Sequence, residues 1–261
     1  MEDLRITLVQ TSLHWESVDG NLEHLGKRIQ SIQEPTDLLL LPEMFSTGFT
    51  MNAPALAEEL QGKSVGWMKE IAKRANAIVC GSLIIGEGGK YYNRLVWMRP
   101  DGSYLTYDKR HLFRLAGEEK TYEAGSSKML PELKGWKILP LICYDLRFPV
   151  WSRRTKEDDY DVLIYVANWP DRRIRAWDTL LPARAVENQC YVAGLNRVGE
   201  DGNGIPHSGH SAVYDGMGEP VWQAIPGKEE TKTVTLSAEA LVKWRRMFPF
   251  DRDADQFRIQ I

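Results

Sequence analysis

Apolar runs of strand length alternate along this chain with longer segments whose apolar residues recur at helical spacing, a pattern that predicts an α/β fold. Strands are expected over 4–9, 37–41, 77–85, 91–98, 103–108, 137–142, 161–166, 190–195, 210–214, 220–223 and 231–236. Helices are expected over 18–33, 54–75, 148–157, 173–189 and 237–246. Asp37-Leu-Leu-Leu-Leu41 and Val162-Leu-Ile-Tyr-Val166 are apolar throughout rather than alternating, which suits strands covered on both faces. Arg99-Pro-Asp-Gly-Ser103 and Asp215-Gly-Met-Gly218 read as hairpin turns, because glycine accepts positive φ. The sum is a mixed sheet with hairpins that a simple doubly wound fold lacks. No repeat, low-complexity segment or linker interrupts the pattern, so residues 1–261 read as a single domain. The stretch from Lys243 to Ile261 is rich in charges and aromatics without clear period, and either wraps a neighbour or packs on its own body.

Bulk properties narrow the function. With 261 residues, 43% hydrophobic and 26% charged, the chain can bury a substantial core without disulfides or metals. A net charge of -3 with no dominant basic cluster argues against a nucleic-acid surface. The longest apolar stretches, such as Leu38 to Leu41, are far too short to span a membrane. The opening Met-Glu-Asp, followed by a strand-like segment, lacks the basic start and apolar core of an export signal. Cys80, Cys143 and Cys190 are odd in number and show no Cys-x-x-Cys spacing, which points to reduced thiols and a cytoplasmic protein.

Three reactive side chains stand just after expected strands. Glu43 follows the run Leu38 to Leu41 and a proline, Lys109 follows Tyr104 to Asp108, and Cys143 follows Trp136 to Ile142. Ligands of open α/β sheets bind in the crevice beyond the carboxyl ends of the strands. A thiol, a carboxylate and an ammonium gathered there supply a nucleophile, a base and a stabiliser of developing negative charge. The thiol needs that help, since it is only slightly ionised at neutral pH. Singly, each residue has a plainer reading. Glu43 reads equally as a surface carboxylate, Lys109 as a solvated charge and Cys143 as a small core hydrophobe.

Their order and contexts change that balance. Leu41-Pro-Glu-Met-Phe45, Tyr107-Asp-Lys-Arg-His-Leu-Phe113 and Ile142-Cys-Tyr-Asp-Leu-Arg-Phe-Pro149 closely resemble the three signature blocks of the nitrilase, or carbon–nitrogen hydrolase, superfamily. The likeness runs from Ile6-Thr-Leu-Val-Gln10 through Arg184-Ala-Val-Glu-Asn188 to Gly209-His-Ser211. It implies a four-layer αββα sandwich, association at least as a homodimer, and a cysteine hydrolase that needs no cofactor and no metal. Glu43 then acts as base, Lys109 as charge stabiliser and Cys143 as nucleophile. The family's second active-site glutamate falls in Gly117-Glu-Glu-Lys-Thr-Tyr-Glu-Ala-Gly125, where Glu118 matches the spacing best, Glu119 is the alternative and Glu123 the third acid. Within the superfamily the chain looks most like bacterial omega-amidases, through Met44-Phe-Ser-Thr-Gly-Phe49, Lys109-Arg-His-Leu-Phe-Arg114, Val166-Ala-Asn-Trp-Pro170 and the tail Arg246 to Phe257. Such enzymes release ammonia from the terminal amide of dicarboxylic monoamides such as 2-oxoglutaramate and 2-oxosuccinamate.

A substrate of that class carries a carboxylate at its far end, which a guanidinium grips with two parallel hydrogen bonds. Arg172, Arg173, Arg175 and Arg147 are the candidates, with a surface cluster or pairing to Asp171 or Asp178 as the alternative. Trp169, Phe49 and Tyr144 are candidate pocket walls. His207 and His210 lack a carboxylate or cysteine at ligand spacing, so zinc is not expected. His111 is a weaker candidate base than Glu43, since neighbouring Lys109 disfavours its protonated form. Gly209-His-Ser-Ala-Val lacks the second glycine of a serine nucleophile elbow, and Cys80 and Cys190 read as packing residues. Two rivals stand beside the omega-amidase reading: another carbon–nitrogen branch, hydrolysing N-carbamoyl amino acids or deaminated glutathione, and a non-catalytic relative binding an acid or a protein.

Overall fold

The computed structural model describes residues 1–260. In chain order its strands are β1 Leu4–Gln10, β2 Leu38–Leu40, β3 Ile78–Glu87, β4 Lys90–Met98, β5 Tyr104–Asp108, β6 Glu132–Leu133, β7 Trp136–Ile142, β8 Val162–Ala167, β9 Tyr191–Asn196, β10 Val198–Glu200, β11 Pro206–Ser208, β12 Ala212–Tyr214, β13 Pro220–Gln223 and β14 Glu230–Leu236. The helices are α1 Val18–Gln30, α2 Ala53–Leu56, α3 Lys63–Ala75, α4 Pro149–Ser152, α5 Ile174–Asn188 and α6 Ala238–Met247. Two six-stranded mixed sheets, ordered β14-β1-β2-β3-β4-β5 and β13-β12-β9-β8-β7-β6, pack face to face, and β10 and β11 form a separate hairpin.

The apolar run at β2 shows why alternation is missing from the buried strands. Leu38 and Leu40 face the second sheet, in one core with Ile138, Leu141 and Ile164. Leu39 and Leu41 point the other way, into a second core with Leu22 and Leu25 of α1 and Met68 and Ile71 of α3. All four leucines are fully buried, each contributing roughly 1.5–3 kcal/mol by leaving water. On the far side, Trp177 and Leu181 of α5 cover β9, where a side chain at Gly194 would collide with both. The layers therefore run helix, sheet, sheet, helix, as the family resemblance implied. No helix among the described residues is long and apolar enough to cross a membrane.

Two expected helices are corrected. The segment 54–75 is two helices, because Ala57 turns to an extended conformation at the end of α2 and Glu58 bridges Ile85 of β3. The Glu58 carboxylate then accepts from the Ser64 backbone N–H, at 2.7 Å, and from its hydroxyl, fixing the start of α3. The segment 148–157 keeps only α4, since Arg153 is extended and the Arg154 N–H donates to Asn188 Oδ1 at 2.8 Å. Both expected turns form: Gly102 and Gly218 take φ of 84° and donate to Arg99 O and Asp215 O, each at 2.9 Å. β6, β10 and β11 had no sequence signal of their own, being only two or three residues long. The tail touches its own body at both ends, while residues 250–258 between them are exposed. α6 extends to Met247, Arg245 pairs with Asp161 at 2.6 Å, and Ile259 packs against the inter-sheet core. Ile261 lies outside the described residues.

Candidate active site

β1, β2 and β3 run parallel, β4 reverses and β5 reverses again, so β2 and β5 end on the same edge of the first sheet. β7, β8 and β9 are parallel in the facing sheet. Glu43, Lys109 and Cys143 thus follow strands that end together, and Asn168 follows β8 in the same way. All four line one cavity of about 630 Å³. A larger groove of about 940 Å³ runs beneath the carboxy-terminal tail, but its lining holds no cysteine and none of the site residues.

The lysine loop is held by backbone. Lys109 N donates to Asn93 O at 3.0 Å, and its own carbonyl accepts from Gly125 N at 3.0 Å. Gly125 lies so close to this loop that a Cβ would stand 2.1 Å from Asp108 O, so only glycine fits. Lys109 Nζ, 1% exposed, contacts Glu43 Oε1 at 2.8 Å and both oxygens of Glu118 at 2.9 Å. Glu118 is the acid that meets the lysine. Glu119 makes no such contact, and exposed Glu123 pairs instead with Lys90 at 3.5 Å.

Other donors complete the cluster. Asn93 Nδ2 spans the two carboxylates, at 2.8 Å from Glu43 Oε1 and 3.2 Å from Glu118 Oε1. Asn168 N donates to Glu43 Oε2 at 2.9 Å, its side-chain amide donates to Glu43 O, and Phe113 N donates to Glu118 Oε2 at 2.5 Å. Burial alone pushes the Lys109 ammonium down, but Glu118 and Glu43 outweigh it and hold the pKa well above the usual lysine range. Lys109 is therefore a fixed cation, unable to serve as a base near neutrality. Burial raises Glu118, Lys109 opposes this, and Glu43 adds to it.

Cys143 begins a tight 3₁₀ turn, Cys143–Arg147, directly after β7, with φ of 43°. This left-handed conformation is unusual and strained for a residue with a side chain. Burial pushes its thiol well above the ordinary range, Glu43 adding to the shift and Lys109 opposing it. The resting sulfur is thus a neutral thiol, which must lose its proton as it attacks. His111 does not line the cavity, and its Nδ1 is engaged with Asp145 at 2.8 Å. Cys80 and Cys190 are buried core residues, burial pushing Cys190 up to about 12.

Phe49, Tyr144, Trp169, Arg147, Arg172 and Arg173 all line the cavity. The Phe49 ring centroid lies 5.1 Å from Lys109 Nζ, Arg147 sits over Trp169 at 4.9 Å, and Arg173 over Phe113 at 4.7 Å. None of these three arginines forms an ion pair among the described residues, and Asp178 pairs with His210 at 3.1 Å instead. Arg175 is exposed on α5 and absent from the lining, which removes it as a candidate: its helical position turns it away from the strand ends. Burial, with Arg172 adding, lowers the Arg173 pKa.

Sequence reasoning missed Asn93, Asn168 and Asp145. Asn93 did carry a signal, as a lone amide with the same strand parity as core residues Leu95 and Trp97. Asn168 stands one residue after β8, as Cys143 does after β7, but carries no reactive group to draw notice.

The family model for carbon-nitrogen hydrolases matches residues 5–246. The omega-amidase YafV of Yersinia enterocolitica is 46% identical over 259 residues, covering 98% of this chain and 99% of that protein. The 2-oxoglutaramate amidase of Bacillus subtilis is 34% identical over 228 residues, covering 86% of this chain and 87% of that protein. Among solved structures, XC1258 from Xanthomonas campestris, a CN-hydrolase superfamily protein with an arsenic adduct in its active site, superposes with a TM-score of 0.97, at 44% identity over 100% of both chains.

Proposed function

The chain belongs to the carbon–nitrogen hydrolase family, and from that premise we propose that it is an omega-amidase working through a Cys143 thioester. The observation carrying this reading is the cavity that Cys143 shares with Glu43, with Lys109 braced from behind by Glu118, and with arginines that have no ion-pair partner among the described residues. Glu43 accepts three hydrogen bonds, two on Oε1 and one on Oε2, and a carboxylate has about four acceptor positions. One position on Oε2 remains for the thiol proton. As that proton moves to Glu43, the sulfur attacks the amide carbon, and Lys109 with the Tyr144 N–H stabilises the oxyanion; one such donor is worth about 10²–10³ in rate. Glu43 returns the proton to the departing ammonia, leaving a thioester. Water activated by Glu43 then hydrolyses it to the acid and restores the thiol. Glu118 holds Lys109 in place.

The cationic wall of Arg147, Arg172 and Arg173 fits the far carboxylate of 2-oxoglutaramate or 2-oxosuccinamate, with Phe49, Tyr144 and Trp169 enclosing the carbon chain. The names of the relatives support the same substrate class. Ammonia release should be greatest with these two amides in a panel that includes glutamine, simple nitriles and N-carbamoyl amino acids; a preference for nitriles or carbamoyl compounds would move the chain to another branch. Arg173→Met should raise KM for the carboxylated amides about tenfold or more, by loss of a charge-assisted hydrogen bond, and leave an uncharged amide unaffected. An equal effect on both substrates would remove the carboxylate role.

The reading also includes a homodimer or larger homo-oligomer in a reducing, cytoplasmic setting. Its support is the exposed apolar surface at Val186, Met217, Val242 and Met247, together with three free buried thiols.

A further inference from the structure

The turn that carries Cys143 and the loop that carries Lys109 come from different sheets, and the chemistry requires a fixed distance between them. One side chain ties both. Asp145 is fully buried and uses both oxygens twice. Oδ2 accepts from the Ile142 backbone N–H at 3.1 Å and from the Tyr107 hydroxyl at 2.7 Å. Oδ1 accepts from the His111 backbone N–H at 3.0 Å and meets His111 Nδ1 at 2.8 Å. An ionised carboxylate only accepts, so the His111 proton sits on Nδ1.

These donors come from the end of β5, from the loop two residues beyond Lys109 and from the end of β7 just before Cys143. Around them the Tyr107 oxygen accepts from Trp151 Nε1 at 3.0 Å and from Arg110 N at 3.2 Å. The His111 ring stacks on Phe148, centroids 3.7 Å apart and planes 6° from parallel. Arg184 of α5 holds the far end of the turn, donating to Leu146 O at 2.7 Å.

We infer that Asp145 is a positioning residue of the hydrolysis: its carboxylate clamps the strained Cys143 turn to the Lys109 loop, and so sets the sulfur against the acid and the cation. This rests on the amidase reading for its consequence and on geometry alone for the clamp. A left-handed backbone at a residue with a Cβ persists only where its surroundings over-determine it. The two bonds to Ile142 and His111 backbone supply that constraint, and the His111 ring contact is the part that substitution can remove while sparing the fold. Asp145 and the His111 ring themselves bond to none of the cavity arginines or aromatic walls. A ring kept at position 111 preserves the stack on Phe148, which in turn meets Tyr144 at 5.1 Å, so loss of the ring donor alone falls on the chemical step rather than on substrate capture.

The test uses His111→Phe, which keeps the stack on Phe148 but has no ring donor, with His111→Asn as the conservative partner, its amide nitrogen standing near Nδ1. Asp145→Asn is the stronger disruption, since its amide group faces donors. For the amide the parent turns over, kcat should fall about tenfold in His111→Phe and about 10²-fold in Asp145→Asn, with KM within twofold and with recovery in His111→Asn. Alkylation of Cys143 by iodoacetamide also requires the sulfur to give up its proton but involves no acyl transfer, and it should slow in the same order.

Unchanged kcat and alkylation in His111→Phe would overturn the clamp. So would equal losses in His111→Phe and His111→Asn, or a fall in kcat matched by an equal rise in KM, either of which marks a merely structural role. If Asp145→Asn does not fold, the His111 pair still decides the matter. Should the parent release ammonia from no amide while alkylation still slows in the variants, the clamp stands and the omega-amidase reading falls.

Discussion

Replacing Lys109 with methionine is expected to cost the protein about 3–5 kcal/mol of stability, a large share of a typical domain's margin, as well as its activity. The reason is the company the ammonium keeps. Glu43 and Glu118 are both 0% exposed, and Lys109 is the cation that contacts each of them. Without it two buried carboxylates stand side by side, held only by Asn93, Asn168 and Phe113 donors. The loss should depend on pH with a definite sign. Burial already holds Glu118 above the ordinary carboxylate range, with Lys109 opposing, so removal of Lys109 enlarges the shift. A carboxyl whose folded pKa exceeds its unfolded value of about 4.3 favours the folded state through its proton at low pH, and that contribution disappears as pH rises through the folded pKa. Thermal melts of Lys109→Met should therefore lie nearest the parent in mild acid and fall increasingly behind it toward neutrality. Adding Glu118→Gln should recover much of the stability and none of the activity. A single variant melting like the parent at neutral pH would contradict the buried ion cluster.

Cys143→Ala is expected to lower turnover by at least about 10⁴, because the thioester route disappears and the remaining oxyanion donors cannot replace a nucleophile. The backbone adds a second, independent expectation. With φ of 43° at this position, any residue with a Cβ is strained, and glycine is not. Cys143→Gly should be as inactive as Cys143→Ala and yet more stable, by about 1 kcal/mol. The comparison by denaturant titration separates strain held for function from mere loss of a buried thiol. Equal stability of the two variants would mean that the turn carries no strain.

The long strands were legible because a sheet covered on both faces writes continuous apolar runs, and the runs at β2 and β8 need no partner to be recognised. Helix ends were less legible where tertiary contacts set them. Nothing in the periodicity of 54–75 marks Glu58 as a residue that leaves the helix to join β3, nor Arg154 as one tied to Asn188. The site divides in the same way. Glu43, Lys109 and Cys143 stand out since reactive side chains follow strands directly. Asn93 and Asp145 act through hydrogen bonds to residues 50 and 34 positions away, a relation that spacing along one chain does not record. The arginines were named as a group, and Arg172 and Arg173 line the cavity from the turn before α5, whereas Arg175 stands on α5 itself and is exposed.

In the proposed reaction the sulfur of Cys143 carries the acyl group between ammonia release and hydrolysis. Acid quenching within the first turnovers on 2-oxoglutaramate, followed by peptide mass measurement, tests it directly. The peptide holding Cys143 should gain the mass of the substrate less ammonia, and the same peptide of Cys143→Ala should gain nothing. Steady ammonia release with an unmodified Cys143, or the same adduct on another residue, would contradict the proposed reaction.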